Sequence, residues 1–126
     1  MSSMRTPLGR VRGHGAAKSG AHHFIGERVS AIGLLLLAPW FAIAAALSIR
    51  TYEQAIAFVR APVNAIGLIL LIAVAFYHMR LGMQVIIDDY IAKPATRAAL
   101  QILNYFFCTL AAVIGLYAVL QINFGW

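Results

Sequence analysis

His78 stands in the segment Phe76-Tyr77-His78-Met79-Arg80-Leu81-Gly82-Met83-Gln84-Val85-Ile86-Ile87-Asp88-Asp89-Tyr90, which reaches a carboxylate and a phenol eleven and twelve residues after the imidazole. An ionisable side chain in hydrocarbon is costly, and one that persists there has a metal, another side chain or a backbone carbonyl as its partner. A neutral imidazole carries one N–H and one lone pair, so His78 is equipped either to hydrogen-bond to a neighbouring helix or to ligate a metal. Eleven helical residues bring Asp89 to within ~20° of the face of His78 and displace it ~16 Å along the axis. That face then bears a buried imidazole, with an acid and a phenol at its end. Arg80 points ~200° away from His78 and can run its stem to the headgroups as a snorkelling anchor.

The elements that must position these groups are membrane-spanning. The chain has 126 residues, 62% of them hydrophobic and 11% charged, with a mean hydropathy of +0.81. That composition lies far outside the soluble range. Three continuous apolar runs, Val29 to Ile49, Val63 to Ile87 and Ala98 to Ile122, each approach or exceed the ~20 residues that cross ~30 Å of hydrocarbon as a helix. Continuous runs exclude the alternation of a barrel, and helices satisfy their own backbone polar groups. The fold class is therefore all-α, three transmembrane helices in an up-down bundle, with a polar basic segment over residues 1–24 and the membrane domain over 25–126. Pro39 falls inside the first helix and is expected to kink it. Both connections are short, and Pro62 is a good opening residue for the second helix. Cys108, the lone cysteine, is expected to pack as a small apolar residue and can form neither an internal disulfide nor a zinc site.

Basic residues orient the bundle. Arg5, Arg10, Arg12, Lys18 and Arg28 precede or open the first helix, and Arg80, Lys93 and Arg97 surround the second connection, against Arg50 and Arg60 on the other side. The positive-inside bias predicts a cytoplasmic amino terminus, and the net charge of +6 then reports topology and acidic lipid instead of nucleic acid. No short apolar core precedes a cleavage site, so the first helix is expected to be an uncleaved anchor in a bacterial inner membrane. The lack of acids before Glu27 also fits a transit peptide, which keeps the mitochondrial inner membrane as an alternative. Haem iron accepts axial histidine nitrogens. His14, His22 and His23 all precede the apolar run, so if haem is bound at His78 the second ligand is expected from another chain, while a structural hydrogen bond to a neighbouring helix remains the plainer reading of the ring alone.

Two stretches carry a family resemblance. They are His22-His23-Phe24-Ile25-Gly26-Glu27-Arg28-Val29-Ser30-Ala31-Ile32 at the first helix and His78-Met79-Arg80-Leu81-Gly82-Met83-Gln84-Val85-Ile86-Ile87-Asp88-Asp89-Tyr90 at the second. The chain resembles, across all three spans, the small hydrophobic membrane-anchor (D) subunits of succinate dehydrogenase, respiratory complex II. The resemblance implies that His78 is an axial ligand of haem b shared with a cytochrome b subunit. It implies further that Tyr90 and Asp89 border the ubiquinone site, and that Arg28, joined by His22, contacts the haem propionates. The implied function is to anchor a complex that passes electrons from succinate to quinone, with a flavoprotein subunit and an iron-sulfur subunit as soluble partners. No residue of this chain is assigned to dicarboxylate or flavin chemistry, so no catalytic residue is expected. Arg80 and His23 depart from the family pattern, at a spot often aromatic or apolar and at one where an acid can occur.

Plainer readings stand beside these. Tyr90 is also an apt interfacial anchor, Asp89 an apt cap or partner of Lys93, and Arg28 a topology signal. A different function class, a small oligomeric transporter or proton channel, would use His78 and Asp89 as a relay. Its weakness is that no inverted repeat is visible.

Overall fold

A computed structural model describes residues 6–8 and 18–125. Among the described residues from 18 onward four helices follow one another: α1 (Lys18–Ser48), α2 (Tyr52–Arg60), α3 (Pro62–Tyr90) and α4 (Pro94–Phe124). Among the described residues there is no strand. Gly20–Ser48, Pro62–Tyr90 and Pro94–Phe124 are long and apolar enough to cross a membrane, as the three apolar runs predict. α3 and α4 extend beyond their runs at both ends, and α1 extends beyond its run at the start. α1 begins at Lys18 and continues through Pro39, so His22 and His23 lie inside it and not in a segment that precedes it. His14 lies outside the described residues.

The helix boundaries follow from local chemistry. Proline opens both α3 and α4, where its missing N–H costs nothing. Gly125 closes α4 with φ 71°, the left-handed conformation that glycine adopts without steric penalty, and its N–H donates to the Gln121 carbonyl at 3.0 Å. The short helix α2 lies within a connection that the sequence pattern leaves irregular. Its start is a capping box in which the Gln54 N–H donates to Thr51 Oγ1 at 3.3 Å and Gln54 Oε1 accepts from the Thr51 N–H at 3.3 Å. Glu53, exposed in the first turn of α2, has its carboxyl held below the ordinary range by its own backbone N–H and then by the Thr51 hydroxyl.

α3 is the central helix, antiparallel to both neighbours and packed against α1 on one side and α4 on the other. α1 and α4 make no helix–helix contact with each other, so the three long helices form an open row instead of a closed triangle. Phe58 of α2 plugs one end, in a cluster with Ala65, Leu68 and Val119, and meets Phe41 edge to face at 6.3 Å. The same end is tied by Arg60 Nε donating to the Ile122 carbonyl at 2.9 Å and Asn123 Nδ2 donating to the Val59 carbonyl at 3.1 Å. Most large apolar side chains remain exposed, Leu35, Leu36 and Leu47 at 71%, 68% and 74% among them. Surfaces of this kind are complementary to lipid or to another chain, not to water.

Candidate functional site

Glycine lets α1 approach α3. A Cβ at Gly26 would lie 2.7 Å from the Tyr77 hydroxyl oxygen and 3.2 Å from Leu81 Cδ1, and one at Gly33 would lie 3.2 Å from Val74 Cγ1. Such small residues permit close backbone approach where lipid supplies no hydrophobic drive for helix pairing. Between them, one turn after Gly26, sits Ser30, 5% exposed and the one buried polar residue among those described. Its Oγ lies 2.9 Å from His78 Nδ1, 2.7 Å from the Gly26 carbonyl oxygen and 3.0 Å from that of Glu27.

His78 is thus half-buried against α1 with one ring nitrogen held. Its Nε2 has no hydrogen-bond partner among the described residues, yet it is not one of the buried unsatisfied atoms, so that nitrogen is reachable from outside the chain. No three His, Cys, Asp or Glu side chains among the described residues converge as a metal-ion site. A metal bound at His78 would therefore need its remaining ligands from elsewhere.

Asp89 occupies the same α3 face, as the eleven-residue spacing predicts. It lines a groove with Gly20 and His23 of α1 and with Gln84 and Asp88 of α3. His23 is part of this structured end. Its Nδ1 is 4.0 Å from Glu27 Oε2, and its Nε2 is buried with no partner. Asp89 is exposed and does not pair with Lys93, and no chain of hydrogen bonds among the described residues links it to His78. The neighbouring acid, Asp88, turns to α4 and accepts from Gln101 Nε2 at 3.0 Å.

Tyr90 diverges from Asp89. It is 81% exposed and stands at the rim of an apolar groove between α3 and α4 lined by Met79, Met83, Ile86, Leu103 and Phe107. Arg28 is exposed and lies over the Phe24 ring at 5.1 Å, and His22 is exposed on the same helix without a side-chain hydrogen bond. The expected site residues therefore share one end of the molecule but point in different directions. Only Ser30 and His78 are joined. Arg80 faces away from His78 as expected, but its guanidinium has a seat inside the row, over the Tyr77 and Tyr105 rings at 5.4 and 5.5 Å, where aromatic faces offset the loss of hydration.

Two features escape the sequence reading. One is Ser30, whose partner lies 48 residues away. The other is a polar stripe on α4. Arg97 Nε donates to the Ile91 carbonyl at 2.9 Å, Gln101 Nε2 to that of Gln84 at 3.1 Å and Asn104 Nδ2 to that of Arg80 at 3.0 Å. Cys108 ends the stripe, buried as expected, with its thiol donating to Asn104 Oδ1 at 3.3 Å. The spacing of four, three and four residues was the available signal, because it puts all four on one helix face.

Comparison with known proteins adds the family. Residues 2–116 match the family described as succinate dehydrogenase/fumarate reductase transmembrane subunit. The chain is 33% identical over 116 residues to the succinate dehydrogenase hydrophobic membrane anchor subunit of Rickettsia bellii, covering 91% of this chain and 93% of that protein. It is 31% identical over 121 residues to the subunit of the same name from Paracoccus denitrificans, covering 95% and 93%. No solved structure matches.

Proposed function

We propose, since the chain belongs to the succinate dehydrogenase/fumarate reductase transmembrane-subunit family, that it anchors a succinate dehydrogenase in a bacterial inner membrane and contributes to haem b and ubiquinone sites there. Its relatives from Rickettsia and Paracoccus are bacterial, and their role as membrane anchor subunits implies soluble catalytic partners, a flavoprotein and an iron-sulfur subunit. The amino terminus, with its excess of Lys and Arg, faces the cytoplasm in this reading.

The observation that carries the haem assignment is the state of His78. One nitrogen is held by Ser30, the other is unpaired among the described residues and reachable, and no group of three metal-binding side chains among those residues gathers around it. That is the donor set of one half of a bis-histidine site. It fits a haem whose remaining ligand would come from a cytochrome b subunit, and because α1 and α4 do not meet, the row is open to such a partner beside α3. When bound, the haem supplies a one-electron carrier whose potential its axial ligands tune. Arg28, an exposed cation on α1, and His22, exposed on the same helix, are suited to the propionates, the guanidinium matching a carboxylate with paired donors.

For the quinone, Tyr90 donates its phenolic hydrogen to a carbonyl oxygen, orienting the ring and favouring the charge that develops there on reduction. The apolar groove beside Tyr90 suits a hydrophobic tail, and Asp89, on the neighbouring face, exchanges protons with the aqueous side. A relay between His78 and Asp89 within this chain is disfavoured, because His78 is engaged by Ser30 and no bonded path joins the two.

The test uses the complex purified through this chain. Flavoprotein and iron-sulfur subunits are expected by mass, together with a reduced haem b absorbance band. His78→Ala is expected to abolish or shift that band. An unchanged spectrum removes His78 as ligand, and absence of dehydrogenase subunits removes the anchor function.

A further inference from the structure

We propose that Ser30 is the positioning residue of the haem ligand, fixing the His78 ring and its tautomer so that Nδ1 keeps the hydrogen and Nε2 presents a bare lone pair to iron. The proposal rests on the haem reading of His78.

The argument is a count of hydrogens. The Ser30 hydroxyl has one hydrogen and three polar neighbours, the carbonyl oxygens of Gly26 at 2.7 Å and Glu27 at 3.0 Å and His78 Nδ1 at 2.9 Å. Both carbonyls can only accept. The hydroxyl hydrogen therefore goes to them, principally to the nearer Gly26 oxygen, and the remaining contact is a bond only if Nδ1–H donates to Oγ. The opposite arrangement leaves Oγ against two carbonyl oxygens with no proton between them. It also moves the imidazole hydrogen to Nε2, which has no partner among the described residues.

Rigidity comes from the backbone. Ser30 is anchored to its own helix by the two carbonyls, and Gly26 lets the Tyr77 hydroxyl end pack directly on α1, which brings the next residue, His78, within hydrogen-bonding distance. Ligating histidines commonly donate their second N–H to a carboxylate, a carbonyl or water, which orients the ring and raises its basicity. Here a hydroxyl takes that place, and donation of its own hydrogen to carbonyls strengthens it as an acceptor. A more basic imidazole favours ferric over ferrous iron and so lowers the haem potential.

The experiment uses the assembled complex carrying Ser30→Ala and the shape-matched pair Ser30→Thr and Ser30→Val. Haem affinity is followed by retention under graded detergent washing, together with midpoint potential, the ferric low-spin resonance spectrum and subunit content. Loss of the hydroxyl, in Ala and Val, is expected to lower haem affinity ~10- to 100-fold, raise the potential and alter the ferric spectrum with subunit content unchanged, while Thr stays close to the parent. Unchanged affinity, potential and spectrum in Ala overturn the proposal, as does Thr behaving like Val, which makes the effect one of packing. Should His78→Ala abolish the haem band while Ser30→Ala leaves every readout untouched, only the positioning role fails. A parent complex without haem b removes the ligand reading itself and Ser30 with it.

Discussion

Along α1, the residues that meet α3 near His78 are small: Gly26, Ser30 and Gly33, with a single polar contact between side chains. Along α4 the corresponding residues are long and polar: Gln101 and Asn104 direct their nitrogens to α3 backbone carbonyls, and Arg97 directs Nε to the carbonyl of Ile91 just past the end of α3. The difference lies in what each interface can specify. The carbonyls of Arg80 and Gln84 already accept one intrahelical N–H and have a second lone pair whatever side chain the residue carries, and the Ile91 carbonyl, past the helix end, is an orphan acceptor, so the α4 contacts fix register and spacing while ignoring the identities of Arg80, Gln84 and Ile91. A side-chain contact such as Ser30 to His78 depends on both partners and can hold a chemical group in one state. α4 therefore serves as a clamp, and α1 as the wall that presents the imidazole.

The largest effect that tests this division is expected at Gly67 of α3, which faces the Trp40 indole of α1 so closely that an added Cβ would overlap the ring. Gly67→Ala gains ~1 kcal/mol of helix propensity, but overpacking against a rigid ring costs ~1–3 kcal/mol. Net destabilisation of the complex is expected in thermal or denaturant melts, because the indole must rotate out or the helices must part. A stabilised variant would show that close packing at this end of the α1–α3 interface is not needed.

Tyr90 sharpens the comparison because it lies on the α4 side of α3 yet is assigned chemistry. Tyr90→Phe removes one hydroxyl from an exposed position and leaves the bundle intact. Loss of one neutral hydrogen bond, net ~0.5–1.5 kcal/mol, corresponds to about two- to tenfold slower ubiquinone reduction, with succinate oxidation by a soluble artificial acceptor unaffected. Equal losses in both assays would point to assembly damage, and no loss in either would leave the α3–α4 side purely structural.

The sequence legibly carried the spans because each is a continuous apolar run, for which composition alone suffices. The His78–Asp89 relation was equally legible, since both lie on one helix and a rotation of 100° per residue places them. α2 was missed, although Thr51 and Gln54 have capping-box spacing, because nine residues containing Glu53 and Arg60 blend into a connection. The start of α1 at Lys18 was missed because its first turns are too polar to belong to an apolar run. Ser30 lies within the first family stretch, but its role is not legible there, as its meaning lies in a helix crossing that no local pattern specifies. The Gly26-to-Gly33 stripe marked that crossing without naming the partner.

The smallest expected effect is at Asn104, and it decides whether α4 is a clamp. Interhelical hydrogen bonds in membranes are worth ~0.6 kcal/mol on average, because a carbonyl that loses Asn104 keeps its intrahelical N–H. Asn104→Ala therefore has little to remove, although it frees the Cys108 thiol from the amide oxygen as well. A drop in thermal stability of that order is expected, with the haem spectrum and potential unmoved, since Asn104 bonds the Arg80 backbone on the α3 side opposite Ser30. A spectral shift in Asn104→Ala would mean that rotation of α3 about its axis, set from the α4 side, reaches the imidazole. In that case the two interfaces would act as one unit.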